Sequence, residues 1–314
     1  MRDSGLNQPE VDATGRVRTR AAGERALVLG GGGSAGNAWL IGVVAGLFDA
    51  GLDVTRADLI VGTSAGATAA AQITGAAPAG LLADILAAAP RQAAGPAGYG
   101  GGRAAAGTVA DHLERTARII AAAEDAADMR RRLGAAALDL AAASDGSWQA
   151  RWRATVAARL PRQRWPERAV LMTAVDAGTG EPVVFDRHSG VELADAVAAS
   201  CSSGVPFGIG GRAYIDGGYR RNENADLAAG HRRVLVLSPL GGRTRTPLSW
   251  GMQLAAQVDE LRDGGSRVET VLPDGDSLEA FGGNLMDPST RPPAARAGYA
   301  QGRALAGRLA GFWG

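Results

Sequence analysis

Lysine is missing from this chain of 314 residues, and all 33 of its Lys-plus-Arg positions are arginine. That one-sidedness reads as compositional bias rather than mechanism. The formal net charge is only +1, so there is no global attraction for nucleic acid. Cysteine is nearly missing too: Cys201 stands alone, which excludes an internal disulfide and makes a reducing compartment the default. Aromatic residues are few. No apolar stretch reaches the roughly 18 residues that a membrane-spanning helix needs. Met1–Glu24 is too polar for a signal peptide. These absences together lead to the expectation of a cytoplasmic protein.

Glycine and alanine are abundant, and the glycines fall at informative places. Residues 1–23 read as a flexible leader and 24–314 as one domain. Ala26–Leu29, Leu59–Val61, Ala169–Val175, Pro182–Phe185, Ala213–Ile215, Val234–Leu237 and Arg267–Leu272 read as strands. The turn over Asp176–Glu181 suggests a hairpin. Asn37–Leu47, Ala65–Ile73, Leu193–Ala199, Trp250–Arg262 and Pro292–Phe312 read as helices. This strand–glycine–helix rhythm predicts an α/β fold of three layers, α/β/α, with a mostly parallel central sheet. Between residues 75 and 165 the rhythm stops. Alanine-rich stretches punctuated by Pro78, Pro90, Gly95-Pro96 and Gly100–Gly102 suggest a helical insertion, with Thr108–Ala143 helical and broken at Gly134. A lid and a plain helical layer both fit this stretch.

Three strand-then-glycine corners hold the residues that could do chemistry. The first is Gly62-Thr63-Ser64-Ala65-Gly66, following Leu59-Ile60-Val61. A serine hydroxyl is a weak nucleophile unless it is presented on an exposed turn beside a base. A G-x-S-x-G between strand and helix presents it: Gly62 and Gly66 permit the tight turn, and the following helix aims its positive end at the same point. Ser64 is therefore the candidate nucleophile, the other reading being a helix-capping serine.

The second corner is Gly30 to Gly33, followed by Ser34-Ala35-Gly36. Its G-x-G-x-x-G spacing over Gly31, Gly33 and Gly36 also opens dinucleotide-binding domains. There, however, an acidic residue should end the next strand. Asp53 does not, and the next strand ends in the serine corner instead. Backbone N–H groups of Gly31, Gly32 and Gly33, with that of Ala65, are better read as an oxyanion hole. Losing one such donor costs roughly 3 kcal/mol of transition-state stabilisation.

The third corner is Asp216-Gly217-Gly218 after Ala213-Tyr214-Ile215. An Asp-Gly is common in ordinary turns, and on residues alone a turn and a catalytic base weigh equally. Three histidines compete for the base. His231 sits beside Arg232 and Arg233, His112 lies in an Arg-rich helix, and His188 lies in a loop. None has a catalytic setting, although a histidine-assisted esterase and a non-catalytic nucleotide-binding protein remain alternatives.

Taken in order, Leu27–Gly36, Asp58–Ala67, Asp195–Cys201 and Tyr214–Gly218 resemble the patatin-like phospholipase family over most of residues 25–240. The resemblance implies a Ser–Asp dyad: Ser64 as nucleophile, Asp216 as base with Gly217 and Gly218 turning the chain behind it, and the glycine run as oxyanion cradle. It implies a lipid or acyl-ester substrate, with no cofactor and no metal. Two departures stand out. Ser34-Ala35 occupies a site where many members carry a basic residue, and Ser202–Gly208 is shorter than the usual proline-rich stretch.

The helical insertion and Val205–Ile209 are the expected sources of an apolar acyl wall. Trp148, Trp152 and Trp165, interleaved with arginines, suit peripheral contact with an anionic inner membrane face. Inward packing of the same tryptophans is the favoured reading, and Pro161 and Pro166 interrupt any continuous amphipathic helix.

Overall fold

A computed structural model describes residues 23–88, 109–144 and 146–314. The expected leader lies, apart from Gly23, outside the described residues, as do Pro90, Gly95-Pro96 and Gly100–Gly102. Among the described residues eight strands form one sheet: β1 (Arg25–Leu29), β2 (Leu59–Gly62), β3 (Ala169–Asp176), β4 (Pro182–Phe185), β5 (Phe207–Ile209), β6 (Arg212–Asp216), β7 (Arg233–Leu237) and β8 (Arg267–Val271). Their order is β5-β6-β3-β2-β1-β7-β8, with β4 also paired to β3. The pairs linking β3, β2, β1, β7 and β8 are parallel, and the pairs involving β4, β5 and β6 are antiparallel. The expected hairpin joins β3 to β4. Its turn is fixed by the Asp176 carboxylate, which accepts from the N–H groups of Gly178 and Thr179.

Helices cover both faces of the sheet. They are α1 (Gly33–Asp49), α2 (Ala65–Gly75), α3 (Pro78–Ala87), α4 (Val109–Ala122), α5 (Ala126–Ala142), α6 (Ser147–Ala157), α7 (Leu193–Ser200), α8 (Leu254–Asp263), α9 (Gly275–Phe281) and α10 (Arg291–Trp313). Strand alternation sorts the core. Leu27 and Leu29 join Ile60, Leu235 and Leu237 in a cluster with α1, α2, α7 and α10. Ala26 and Val28 join Val61, Val234 and Val236 in another with α8. Met129 and Leu133 of α5 pack on Val175 and Ile215. The chain thus has a mostly parallel central sheet flanked by helices, as the residue pattern predicted.

Several boundaries differ from expectation. The helical break falls at Ala123–Asp125, not at Gly134, because Asp125 caps α5 by accepting from the Asp128 N–H. Gly134 lies inside α5, where a Cβ would stand 2.2 Å from the Ala177 carbonyl oxygen. Its role is close approach to the β3–β4 turn. Residues 207–209, within the stretch expected to supply acyl wall, form the edge strand β5. Phe207 is buried there with its ring edge-on to Trp148 at 6.4 Å, so this stretch faces the core.

α1 and α10 touch backbone to backbone. A Cβ at Gly42 or Gly46 would lie 2.2 Å from a carbonyl oxygen of α10, and one at Gly298 or Gly302 within 2.5 Å of a carbonyl oxygen of α1. The buried Trp39 indole N–H reaches Ser277 Oγ and Gln301 Oε1, each at 3.0 Å. Among the described residues no single helix is long and apolar enough to cross a membrane. Trp148 is buried, and the indole N–H groups of Trp152 and Trp165 donate to the carbonyls of Ala198 and Val191. Arg153 of the same segment pairs with Asp195 at 2.6 Å and with Glu192.

Candidate active site

Register brings the serine and aspartate corners together. Gly62 at the end of β2 sits opposite Met172 of β3. Asp216 at the end of β6 sits opposite Ala174, on the other side of the same strand. The chain leaves β2 through Ser64, which has φ 53° and ψ −115°. A non-glycine residue held in such a region costs on the order of 1–3 kcal/mol. The flanking glycines make this turn possible. A Cβ on Gly66 would lie 1.9 Å from the Leu29 carbonyl oxygen, and one on Gly62 would lie 2.7 Å from the Ala67 Cα.

Ser64 lies beside Asp216, close enough to pull its carboxyl pKa down. The Asp216 carboxylate accepts from the Gly218 N–H at 2.8 Å. It is 8% exposed. Burial pushes its pKa up to about 6, against the opposing pull of the Gly218 N–H and of Ser64. No imidazole is among the groups that set its charge. His231 is buried with Nδ1 3.1 Å from the Ala228 carbonyl oxygen. His188 is exposed on its turn. His112 lies 3.5 Å from the Tyr219 hydroxyl, and burial, then Arg115 and Arg245, hold its pKa down at about 4.

The glycine corner meets Ser64 from the side. A Cβ on Gly31 would be 3.6 Å from the Ser64 Cβ. Helix α1 begins within the glycine run at Gly33, which has φ 64°, rather than at Asn37 as expected. The four candidate amides are not equivalent. The Gly31 N–H donates to the Asn222 carbonyl at 3.1 Å, which removes it from the donor set. Gly32, Gly33 and Ala65 stand at helix starts, where no residue four earlier accepts within the helix. Among the described residues none of these three amides has a backbone acceptor. Asn37, buried on α1, donates to the Ala65 carbonyl at 3.3 Å and to Gln72 Oε1 at 3.0 Å, tying the two helix starts together. Arg291 in turn donates to the Ser34 carbonyl and to Asn37 Oδ1, each at 3.1 Å. Gly36 packs on Pro239, where a Cβ would come within 3.0 Å.

Several residues that hold these corners were not singled out by sequence reasoning. Asn224, fully buried with φ 53°, points its Nδ2 at Thr63 Oγ1 (3.0 Å), Thr173 Oγ1 (3.2 Å) and the Gly217 carbonyl (3.2 Å). It therefore links the end of β2 and the middle of β3 to the turn after β6. A Cβ on Gly217 would meet Thr173 Oγ1 at 2.2 Å. The Asn-Glu-Asn at 222–224 is the only local hint of this, and its partners lie far away in sequence. Ser200 Oγ accepts from the Ser64 N–H at 2.9 Å. A small cavity beneath α4 and α5 lies between His112, Thr116, Ile119, Leu133, Ile215 and Tyr219.

A half-buried serine beside a buried carboxylate and unclaimed amides can move a proton from a hydroxyl to a carboxylate while amide dipoles meet a developing negative charge. No curated protein matches this sequence. The crystal structure of VipD from Legionella pneumophila is similar at 13% identity and a TM-score of 0.41, covering 96% of this chain and 70% of that one. A family model described as patatin-like phospholipase matches residues 27–229, more than half of the chain. The chain belongs to the patatin-like phospholipase family.

Proposed function

We propose that this protein is a serine acyl hydrolase that cleaves lipid carboxyl esters with a Ser64–Asp216 dyad. The convergence of the two corners carries this reading: Ser64 and the buried Asp216 are both held by residues 200–202, and Ser64 lies close enough to pull the carboxyl pKa down. Ser64 Oγ attacks the ester carbonyl carbon as its proton passes to Asp216. The carbonyl oxygen becomes an alkoxide facing the N–H groups of Gly32, Gly33 and Ala65. Collapse breaks the ester C–O bond, and Asp216 returns the proton to the departing alcohol, leaving an acyl group on Ser64. Water then attacks that acyl group, Asp216 takes its proton, and Ser64 is regenerated with release of the fatty acid. The positive ends of α1 and α2 favour both charged intermediates.

A free aspartate is too acidic to be a strong base in water, and burial corrects this. With the Asp216 pKa at about 6, only the ionised carboxylate accepts the serine proton. The value of kcat/KM on a short acyl ester should therefore rise through a midpoint near pH 6 and fall about tenfold per unit below it. Fluorophosphonate should label Ser64, read by mass spectrometry, with the same midpoint. A wild-type protein that takes up no label and hydrolyses no acyl ester would refute the assignment.

A further inference from the structure

We propose that the C-terminal end of α7, Ser200 to Ser202, is a jig that sets the separation between Ser64 and Asp216, with Ser200 and Cys201 as positioning residues. The proposal rests on the hydrolase reading above and adds the element that aligns its two reacting groups. Three consecutive residues hold three backbone groups of the pair. Ser200 Oγ accepts from the Ser64 N–H at 2.9 Å. Cys201 Sγ donates to the Ser64 carbonyl at 3.1 Å. The Ser202 carbonyl accepts from the Asp216 N–H at 2.9 Å.

Each contact meets a need that the turn itself cannot satisfy. Ser64 has left the strand ladder, and its N–H has no other acceptor among the described residues. Its carbonyl takes the first helical bond from Thr68 at 3.2 Å and shares that lone-pair region with the cysteine. Nothing in α2 holds Ser64 at a positive φ; a group gripping the peptide from both ends does. The jig is itself fixed. Ser200 is fully buried and Ser202 is 4% exposed. The Ser202 hydroxyl donates back to the Ala198 carbonyl at 2.7 Å, and the Trp152 indole N–H reaches the same carbonyl at 3.1 Å. Cys201 is the lone thiol of the chain, and burial, reinforced by the Asp216 charge, pushes it up to about 12. It therefore stays a protonated donor at any pH at which the enzyme works, and is not a competing nucleophile.

Ser200→Ala, Cys201→Ala and Cys201→Ser separate this role from plain packing. Ser200→Ala and Cys201→Ala should each lower kcat on a short acyl ester by roughly tenfold to a hundredfold, as misplacement of a reacting group does. KM should stay within about twofold. The pH midpoint should move upward, because a displaced Ser64 no longer pulls the carboxyl pKa down. Cys201→Ser restores a donor and should recover most of the lost kcat. If Ser200→Ala does not fold, the two Cys201 variants read the same clamp. Folded variants with wild-type kcat and an unmoved midpoint, or a Cys201→Ser variant as slow as Cys201→Ala, would overturn the jig while leaving the hydrolase intact. An unlabelled, inactive wild type would overturn both.

Discussion

Ser64→Ala should lower kcat on acyl esters by at least about a thousandfold, the scale seen when a nucleophile is deleted from a serine hydrolase and only binding and oxyanion stabilisation remain. It should also abolish fluorophosphonate labelling. The fold should persist, since the hydrogen bonds given for Ser64 run through its N–H and carbonyl, which alanine keeps. Alanine inherits the positive φ and the strain that goes with it, so stability should change little. Near-normal hydrolysis by this variant, measured with folded protein by circular dichroism, would place the nucleophile elsewhere.

Asp216→Asn should have two effects of opposite benefit. Activity should fall by about a thousandfold, because an amide cannot take the serine proton. Stability should rise at neutral pH. The pKa of Asp216 is raised from 3.8 to about 6 in the folded protein, so between those values the folded state holds a proton that the unfolded chain has released. Stability from this group is therefore intact below pH 4 and is lost as pH climbs through 6. At pH 7.5 the buried charge costs between about 1 and 3 kcal/mol, and a neutral asparagine escapes it. Urea unfolding should show the variant more stable than wild type at pH 7.5, with the advantage vanishing near pH 4. Equal stabilities at pH 7.5 would mean that the carboxylate is less sheltered than its 8% exposure indicates.

The strand-then-glycine corners were legible because their meaning is local. Four apolar residues and a glycine say where a buried strand ends, and the three-layer architecture follows from repeating that unit. What joins the corners was not legible. Asn224 reaches Thr63 and Thr173, and Ser200 reaches Ser64. In each case two short polar residues far apart in sequence meet only because the sheet register brings them level. Gly134 misled for a related reason. Glycine weakens a helix in isolation, but at that position it admits the Ala177 carbonyl. The start of α1 was placed too late because Gly33 and Gly36 carry no helical preference. Their place in the first turn comes from neighbours: the Leu285 carbonyl accepts from the Ala35 N–H at 2.9 Å, and Gly36 donates to the Gly32 carbonyl. Among the four expected amide donors, Gly31 was indistinguishable in sequence from Gly32 and Gly33. Only the position of Asn222 removes it.

The glycine-mediated seam between α1 and α10 has a practical consequence. The family match ends at 229, yet the helix that carries the glycine corner is sheathed by residues 291–313, and β1 is flanked by β7, which begins at Arg233. A fragment trimmed to the matched boundaries would leave Trp39 and Val43 facing water and β1 with an open edge. Such a piece should precipitate rather than fold.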